Sequence, residues 1–330
     1  METTVAFVPR ETISRTIPAL RDLLRHTPAD TQWIAVLAGF PATIKAEVAE
    51  MLRSVGGELI DGPTLLPPNH ARNLALERAR GRYIAFVDND VTVSENWLSA
   101  LVDCARETGA TIVGPMTFEA YPGFRRIHMA GGEIGTPALG NGLHGYEEKH
   151  YHAHVLLEDI TTPIIRSETG LVEFHTVLVE TAWLKSQGGL DPGLLSVSEH
   201  WDMCFTATQQ GRRIFIEPAS RVNYAPPREL TAEDIRFFNL RWSAEWCERS
   251  LDRLAEKHHI APRALRGVSR FVAEHRRHRF SCLHRRLQQK LGRLAGSMIC
   301  LITGSFLLLP DYLKLRADLN RWRATKPQPH

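Results

Sequence analysis

No two cysteines in this 330-residue chain stand at a Cys-x-x-Cys spacing. The five present (Cys104, Cys204, Cys247, Cys282, Cys300) are odd in number and widely spread. This argues against a disulfide framework or a cysteine zinc site, and suits free thiols in a reducing compartment. A strong charge of one sign is also missing. Lys and Arg number 40 and Asp and Glu 37, a formal charge of +3, too even for a chain that binds nucleic acid over its whole surface. The opening Met-Glu-Thr-Thr-Val has neither a basic region nor a long apolar core, so no signal peptide is expected. The first apolar run is followed by Pro9-Arg10-Glu11-Thr12, not by a Gly-rich loop. The 43% hydrophobic and 23% charged content is that of a globular protein, not a disordered chain, a collagen or a coiled coil. The length suits one large catalytic-sized domain with an appendage.

What is present is an alternation. Apolar runs at 4–8, 33–38, 58–60 and 83–87 read as buried strands, and the amphipathic stretches 13–26, 44–55 and 69–80 as helices. Units of about 25–30 residues predict an α/β fold, a parallel sheet with helices on both faces. Ligands of such sheets bind beyond the carboxyl ends of the strands. Asp88 and Asp90 stand at that place, directly after Tyr83–Val87. Two carboxylates two residues apart can share a hard divalent cation together with phosphate oxygens. Such an ion neutralises charge building on a departing diphosphate. An isolated Asp-x-Asp is more often a solvated turn, so its context decides.

That context is Asn69-His-Ala-Arg72-Asn73-Leu followed by Ala79-Arg-Gly81-Arg-Tyr83-Ile-Ala-Phe86-Val-Asp88-Asn-Asp90. It resembles the core signature of family 2 glycosyltransferases, with three separated elements in order. The resemblance covers roughly two-thirds of the chain. It implies a GT-A fold, a nucleotide-sugar donor, and Mn²⁺ or Mg²⁺ held by Asp88 and Asp90. It places Arg72 near the nucleotide and puts Pro9, Arg10, Glu11 and Asn89 among the donor-binding residues. Two features depart from the family. Pro9-Arg10-Glu11 replaces the usual Pro-x-x-Asn loop. Gly39-Phe40-Pro41 follows the second strand, where an acid often meets the base. Base recognition then falls to Arg10, backbone groups or stacking on Phe40.

Residues 111–115 and 172–179 read as further strands. The segment 120–170, rich in Gly and His, shows no period and is expected to be a solvent-exposed or acceptor-facing loop. If it were a strand, His150, His152 and His154 would share one face, a zinc alternative set aside for want of a partner ligand at metal spacing. The Gly188-Gly-Leu-Asp191 segment and Ser198-Glu199-His200-Trp201-Asp202 resemble the family's Gly-Gly-Phe-Asp segment and the run that supplies the general base. Ser198 is a good N-cap residue, and the acids behind it fall in the first helical turn. The candidate bases are, in order of preference, Glu199, His200 and Asp202. His200 is attractive because an unperturbed imidazole, pKa ~6.5, is mostly neutral at pH 7. The plainer reading makes these capping acids, with Asp202 in a local ion pair. Gly211 to Val222 matches the family's Gly, strand, Glu-Pro order, but Asn223-Tyr224 stands where many members have a metal-binding His.

Residues 231–259 read as one helix with an apolar stripe that docks on the catalytic domain. Glu274–Arg293 holds seven Arg or Lys (276, 277, 279, 285, 286, 290, 293), and 294–309 holds no charge. Sixteen helical residues cover about 24 Å, short of a ~30 Å hydrocarbon core. An interfacial segment with basic residues on anionic headgroups fits better than a span. The expected organisation is 1–227 GT-A domain, 228–272 helical extension and 273–330 basic and apolar tail. The expected function is inverting sugar transfer from a nucleoside-diphosphate sugar to a glycan or lipid-linked acceptor, in cell-surface glycan synthesis. The location expected is cytoplasmic, with peripheral contact through 274–309 on the inner face of the cell membrane, and no nucleic acid partner. The rivals are a nucleotidyltransferase and a non-catalytic sugar-nucleotide-binding or scaffolding relative.

Overall fold

The computed structural model describes residues 2–119, 123–225 and 229–325. Strands β1 (Thr3–Phe7), β2 (Gln32–Val36), β3 (Glu58–Ile60) and β4 (Tyr83–Val87) alternate with helices α1 (Thr16–His26), α2 (Ala42–Arg53) and α3 (Pro68–Arg78). Every residue of β1, β2 and β4 is buried, as expected of strands covered on both faces. β1 pairs in parallel with β4 and β2, and β2 with β3. There follow β5 (Val91–Val93), α4 (Trp97–Thr108), β6 (Ile112–Glu119), β7 (Ile127–Met129), β8 (Gly132–Gly135), β9 (Ala138–Gly140), β10 (Leu143–His144), β11 (Glu147–His150), β12 (Ser167–Glu168), β13 (Thr176–Glu180), α5 (Thr181–Ser186), α6 (Glu199–Gln209) and β14 (Ile214–Tyr224). The large sheet has the order β12-β14-β6-β13-β4-β1-β2-β3, with β5 beside β14 and β7 beside β6.

Three sequence expectations change. The sheet is mixed, because β13 runs antiparallel between β4 and β6; a strand buried on both faces reads alike in either direction. The segment 120–170 is not a plain loop: β8 and β11 form an antiparallel pair there. The helix expected over 231–259 is two, α7 (Ala232–Arg241) and α8 (Ala244–His258). Ser243, in extended backbone, accepts from Trp246 N at 3.3 Å and caps the second.

The signature residues explain themselves as scaffolding. Asn69 Nδ2 donates to Asp191 O at 3.0 Å. Asn73 donates to Leu190 O at 2.8 Å and accepts from Leu190 N at 2.9 Å. Two positions on one face of α3 thus fix the loop that leads to α6. A Cβ on Gly81 would lie 2.6 Å from Thr4 N and 2.7 Å from Thr3 C, in the backbone of β1. Gly81→Ala is therefore expected to lower the unfolding free energy by about 2–3 kcal/mol, read from urea denaturation midpoints.

The C-terminal helices are α9 (Arg266–Leu291), α10 (Arg293–Leu307) and α11 (Leu309–Thr325). α9 runs through residue 272 unbroken, so no element boundary separates the two expected C-terminal units there; residue 227 lies outside the described residues. α10 folds back on α9 through Gly296, Cys300 and Gly304, which are buried at a four-residue spacing. A Cβ on Gly296 would lie 2.5 Å from Gln288 N, so only glycine permits that approach. The opposite face is open, with Leu301 79% and Phe306 76% exposed. By length and composition Arg293–Ala324 is long and apolar enough to cross a membrane. Its far end, however, docks back on the body: Arg236 holds Asp318 at 2.7 and 2.8 Å, and Trp322 meets Trp246 at 5.5 Å. α7 and α8 are in turn tied to the loop after β1. Asp234 accepts from Ser14 N and Oγ at 2.8 Å each, and Arg241 forms a buried ion pair with Glu11.

Candidate active site

A cavity of about 880 Å³ opens at the carboxyl ends of β1 and β4, between the first turn of α6 and the start of α9. Val8 N donates to Val87 O at 2.9 Å, so the chain segments leaving β1 and β4 emerge side by side. Arg10 from the first pairs with Asp88 from the second. Arg72 reaches the same carboxylate at 3.4 Å from α3. It is 1% exposed, with its guanidinium 3.8 Å from the centre of the Phe174 ring. It is no surface helix arginine. Asp90 lines the cavity, 4% exposed, and its Oδ1 has no hydrogen-bond partner. Burial, only partly offset by Arg10 and reinforced by Asp88, pushes its pKa up to about 7.

The structure supplies the imidazole whose absence near Asn223 the sequence signals. His175, immediately before β13, lies with its Nδ1 3.9 Å from Asp88 Oδ2 and its ring 4.0 Å from that of Tyr224. Burial holds it well below the usual histidine range, which favours the neutral ring that a metal site would need. Asp88, Asp90 and His175 present ligand atoms within 4.8 Å of one another. Asp90 Oδ1 and His175 Nδ1 both lack hydrogen-bond partners among the described residues. Two hard oxygens and an imidazole with free lone pairs fit a divalent cation such as Mn²⁺ or Mg²⁺. His175 was missed because 172–179 reads as continuous strand; β13 begins only at Thr176, and Phe174 and His175 precede it at the rim.

The other expected donor residues divide. Asn89 is fully buried and acts as a clamp: its Oδ1 accepts from Arg10 N at 2.9 Å, and its Nδ2 donates to Thr12 O at 2.7 Å. It does not face the cavity, and Pro9 is buried beneath the same loop. Glu11 and Arg10 line the wall. Phe40 is not available to stack on a base; it packs edge-on against Phe237 in the core, centroids 6.0 Å apart.

The three candidate bases also separate. Glu199, 5% exposed, opens α6 and lines the cavity with Oε1 unpartnered. Ser198 before it makes no capping bond; it sits at φ +62°, a strained conformation for a non-glycine residue of the kind that gathers at functional sites. His200 donates to Glu148 Oε1 at 3.1 Å. Burial alone would depress its pKa, but Glu148 outweighs it and the value rises to about 9. That direction favours the protonated ring, which cannot take a proton, against the sequence argument for it. Asp202 accepts from Lys257 Nζ at 2.9 Å and His258 Nε2 at 2.6 Å, both on α8, and is absent from the cavity wall. It anchors α6 to α8. His150, His152 and His154 do not share a strand face, because β11 ends at His150 and the other two have φ of +58° and +67°.

Comparison with known proteins relates part of the chain, and its fold, to glycosyltransferases. Residues 46–160 match the model described as Glycosyl transferase family 2. The chain is 47% identical over 47 residues to the succinoglycan biosynthesis protein ExoM of Rhizobium meliloti (strain 1021), covering 14% of this chain and 15% of that protein. It is 25% identical over 166 residues to the pre-mycofactocin glycosyltransferase of Mycobacterium tuberculosis (strain CDC 1551 / Oshkosh), covering 50% and 31%. The matches thus span less than a third of these relatives' length. The crystal structure of GalNAc-T7 with UDP, GalNAc and Mn²⁺ superposes with a TM-score of 0.55 at 15% identity, covering 83% of this chain and 54% of that one. The segment 46–160 is thus similar to family 2 glycosyltransferases, and the fold is GT-A-like.

Proposed function

We propose that the protein transfers a sugar from a nucleoside-diphosphate sugar to an acceptor hydroxyl, with inversion. The observation that carries this reading is Asp90: a buried carboxylate oxygen without a partner, facing a cavity beside Asp88 and His175. These three residues would hold Mn²⁺ or Mg²⁺, which when bound supplies charge to the departing diphosphate. Arg10 and Arg72 bring two further positive charges to the same corner and orient the phosphates by charge-assisted hydrogen bonds. Glu199, across the cavity, takes the proton of the acceptor hydroxyl. The acceptor oxygen forms a bond to C1 as the C1–phosphate oxygen bond breaks, and a single displacement of this kind inverts the anomeric centre.

The experiment is a panel of nucleotide sugars with Mn²⁺ and candidate acceptors. Nucleoside diphosphate release with glycosylated acceptor supports the reading. Pyrophosphate release from a nucleoside triphosphate and a sugar 1-phosphate, run in parallel, would favour a nucleotidyltransferase, and donor binding without turnover a scaffolding relative. A second reading is favoured by the position of Arg10 and Arg72 on Asp88: the guanidiniums alone neutralise the diphosphate. Full turnover after chelator treatment would select it.

The acceptor side suggests where the reaction happens. Val268, Phe271 and His275 of α9 line the cavity, and the same helix leads into the hairpin with the open apolar face. The stretch of α9 that leads into it carries Arg285, Arg286 and Lys290, and apolar surface joined to basic residues is the combination that binds anionic lipid surfaces. We assign the hairpin to peripheral contact with the inner face of the cell membrane, and the acceptor to a glycan or lipid-linked sugar presented there, as in polysaccharide biosynthesis. Docking of α11 on the body returns the chain to the side it left, which favours lying on the membrane over crossing it. The five cysteines, all buried and unbonded, suit the reducing side. Leu301→Asp with Phe306→Asp is expected to weaken binding to phosphatidylserine vesicles at least tenfold in co-sedimentation, with soluble-acceptor turnover unchanged.

A further inference from the structure

We propose that Glu148, His150 and His200 form a second cation site, of Zn²⁺ type, distinct from the one at Asp88. Residues two apart in a strand point to one side, so β11 presents Glu148 and His150 together. The first turn of α6 brings His200 to them. Glu148 Oε1 lies 2.9 Å from His150 Nε2 and 3.1 Å from His200 Nε2. A tetrahedral ion with ligand bonds of about 2.0–2.1 Å sets its ligands about 3.3 Å apart. Opening each contact by a few tenths of an ångström, with release of the proton that His200 donates to Glu148, is enough to admit one. Two imidazoles and one carboxylate suit Zn²⁺ better than Mg²⁺, which prefers an all-oxygen octahedron.

The surroundings are those of a built site. Tyr146 Oη donates to Glu148 Oε2 at 2.5 Å, on the oxygen that does not face the imidazoles, and so fixes the carboxylate plane. Tyr146 itself stacks on Trp201, centroids 5.0 Å apart. Trp201 Nε1 donates to Glu147 O at 3.2 Å, which ties β11 to α6 independently of the cluster. Pairing of Glu147–His150 with Gly132–Gly135 stiffens the strand from its other edge. All three ligands line the cavity, so the fourth position opens to it, where water or an acceptor oxygen can bind. The two sites share no residue. Glu173 and His128 lie between them, with the His128 ring 5.8 Å from that of His150 and 5.4 Å from that of His175. An ion here joins the β8–β11 pair to the turn that carries Glu199.

The test is equilibrium dialysis of chelator-stripped full-length protein against Zn²⁺, with bound metal counted by mass spectrometry. One tightly held Zn²⁺ per chain is expected, retained in the Asp88→Asn/Asp90→Asn double variant. His150→Gln and His200→Gln should each weaken it at least 100-fold, with unchanged circular dichroism. Because His150 ends its strand, His150→Gln keeps the test valid if His200→Gln does not fold. No tightly held Zn²⁺ in the double variant, or Zn²⁺ retained in folded His150→Gln, would overturn the proposal. The readout is metal content, so failure here leaves the transferase reading untouched, and the reverse.

Discussion

Asp90→Asn is expected to reduce sugar transfer about a thousandfold while leaving the protein at least as resistant to heat as the wild type. Charge stabilisation by a bound cation is worth several kcal/mol at the transition state, and each 1.36 kcal/mol is a factor of ten. The same carboxylate is buried with an oxygen that no neighbour satisfies. Its ionised form is thus costly to keep in the fold, and a neutral isostere removes that cost. Loss of activity and gain of stability should therefore travel together. Mn²⁺ should raise the melting temperature of the wild type and not of the variant, because only a ligand bound to the native state shifts the transition. Scanning calorimetry with and without Mn²⁺, beside a nucleoside diphosphate release assay, checks both. A variant that turns over normally would remove the cation turn from the mechanism.

Glu199→Gln is expected to lower kcat by about 10²–10⁴, the usual contribution of a general base, with KM for the donor unchanged. The contrast is Asp202→Asn on the same helix. It removes the carboxylate that Lys257 and His258 share. Its expected effect is a stability loss of about 3 kcal/mol, with near-normal turnover by the molecules that remain folded. Steady-state kinetics on both variants, each corrected for folded fraction by urea denaturation, separates the roles. If Asp202→Asn lost turnover at unchanged stability, the two assignments would exchange.

Much of this was legible in the chain and some was not, for identifiable reasons. The alternation of apolar runs with amphipathic stretches gave the helices and strands up to Val87, and with them the position of Asp88 and Asp90 at the rim. The direction of β13 was not legible, since burial on both faces erases the two-residue pattern that would orient it. His175 stood in plain sight but was read as strand, because Val172 to Val179 is uniformly apolar apart from Glu173, His175 and Thr176. The charge of His200 depends on Glu148, which an intervening stretch of 51 residues separates from it in sequence and a fold brings to 3.1 Å. Spacing alone cannot report such a neighbour. Asp202 looked like its neighbours in the first turn and differs only in which way α6 turns it, toward Lys257 and away from the cavity.

The hold of α7 on the loop after β1 bears on the order of assembly. Ser14 meets Asp234 across 220 positions of sequence, and Glu11 meets Arg241 across 230. A nascent chain can therefore pair β1 to β4 and clamp Arg10 through Asn89 long before α7 adds the braces at Ser14 and Glu11. Long-range closures of this kind come late in folding. The loop that carries Arg10 would gain its last braces from α7, and a ribosome-bound chain cut short before residue 232 should have its strands in place and a looser hold on a donor.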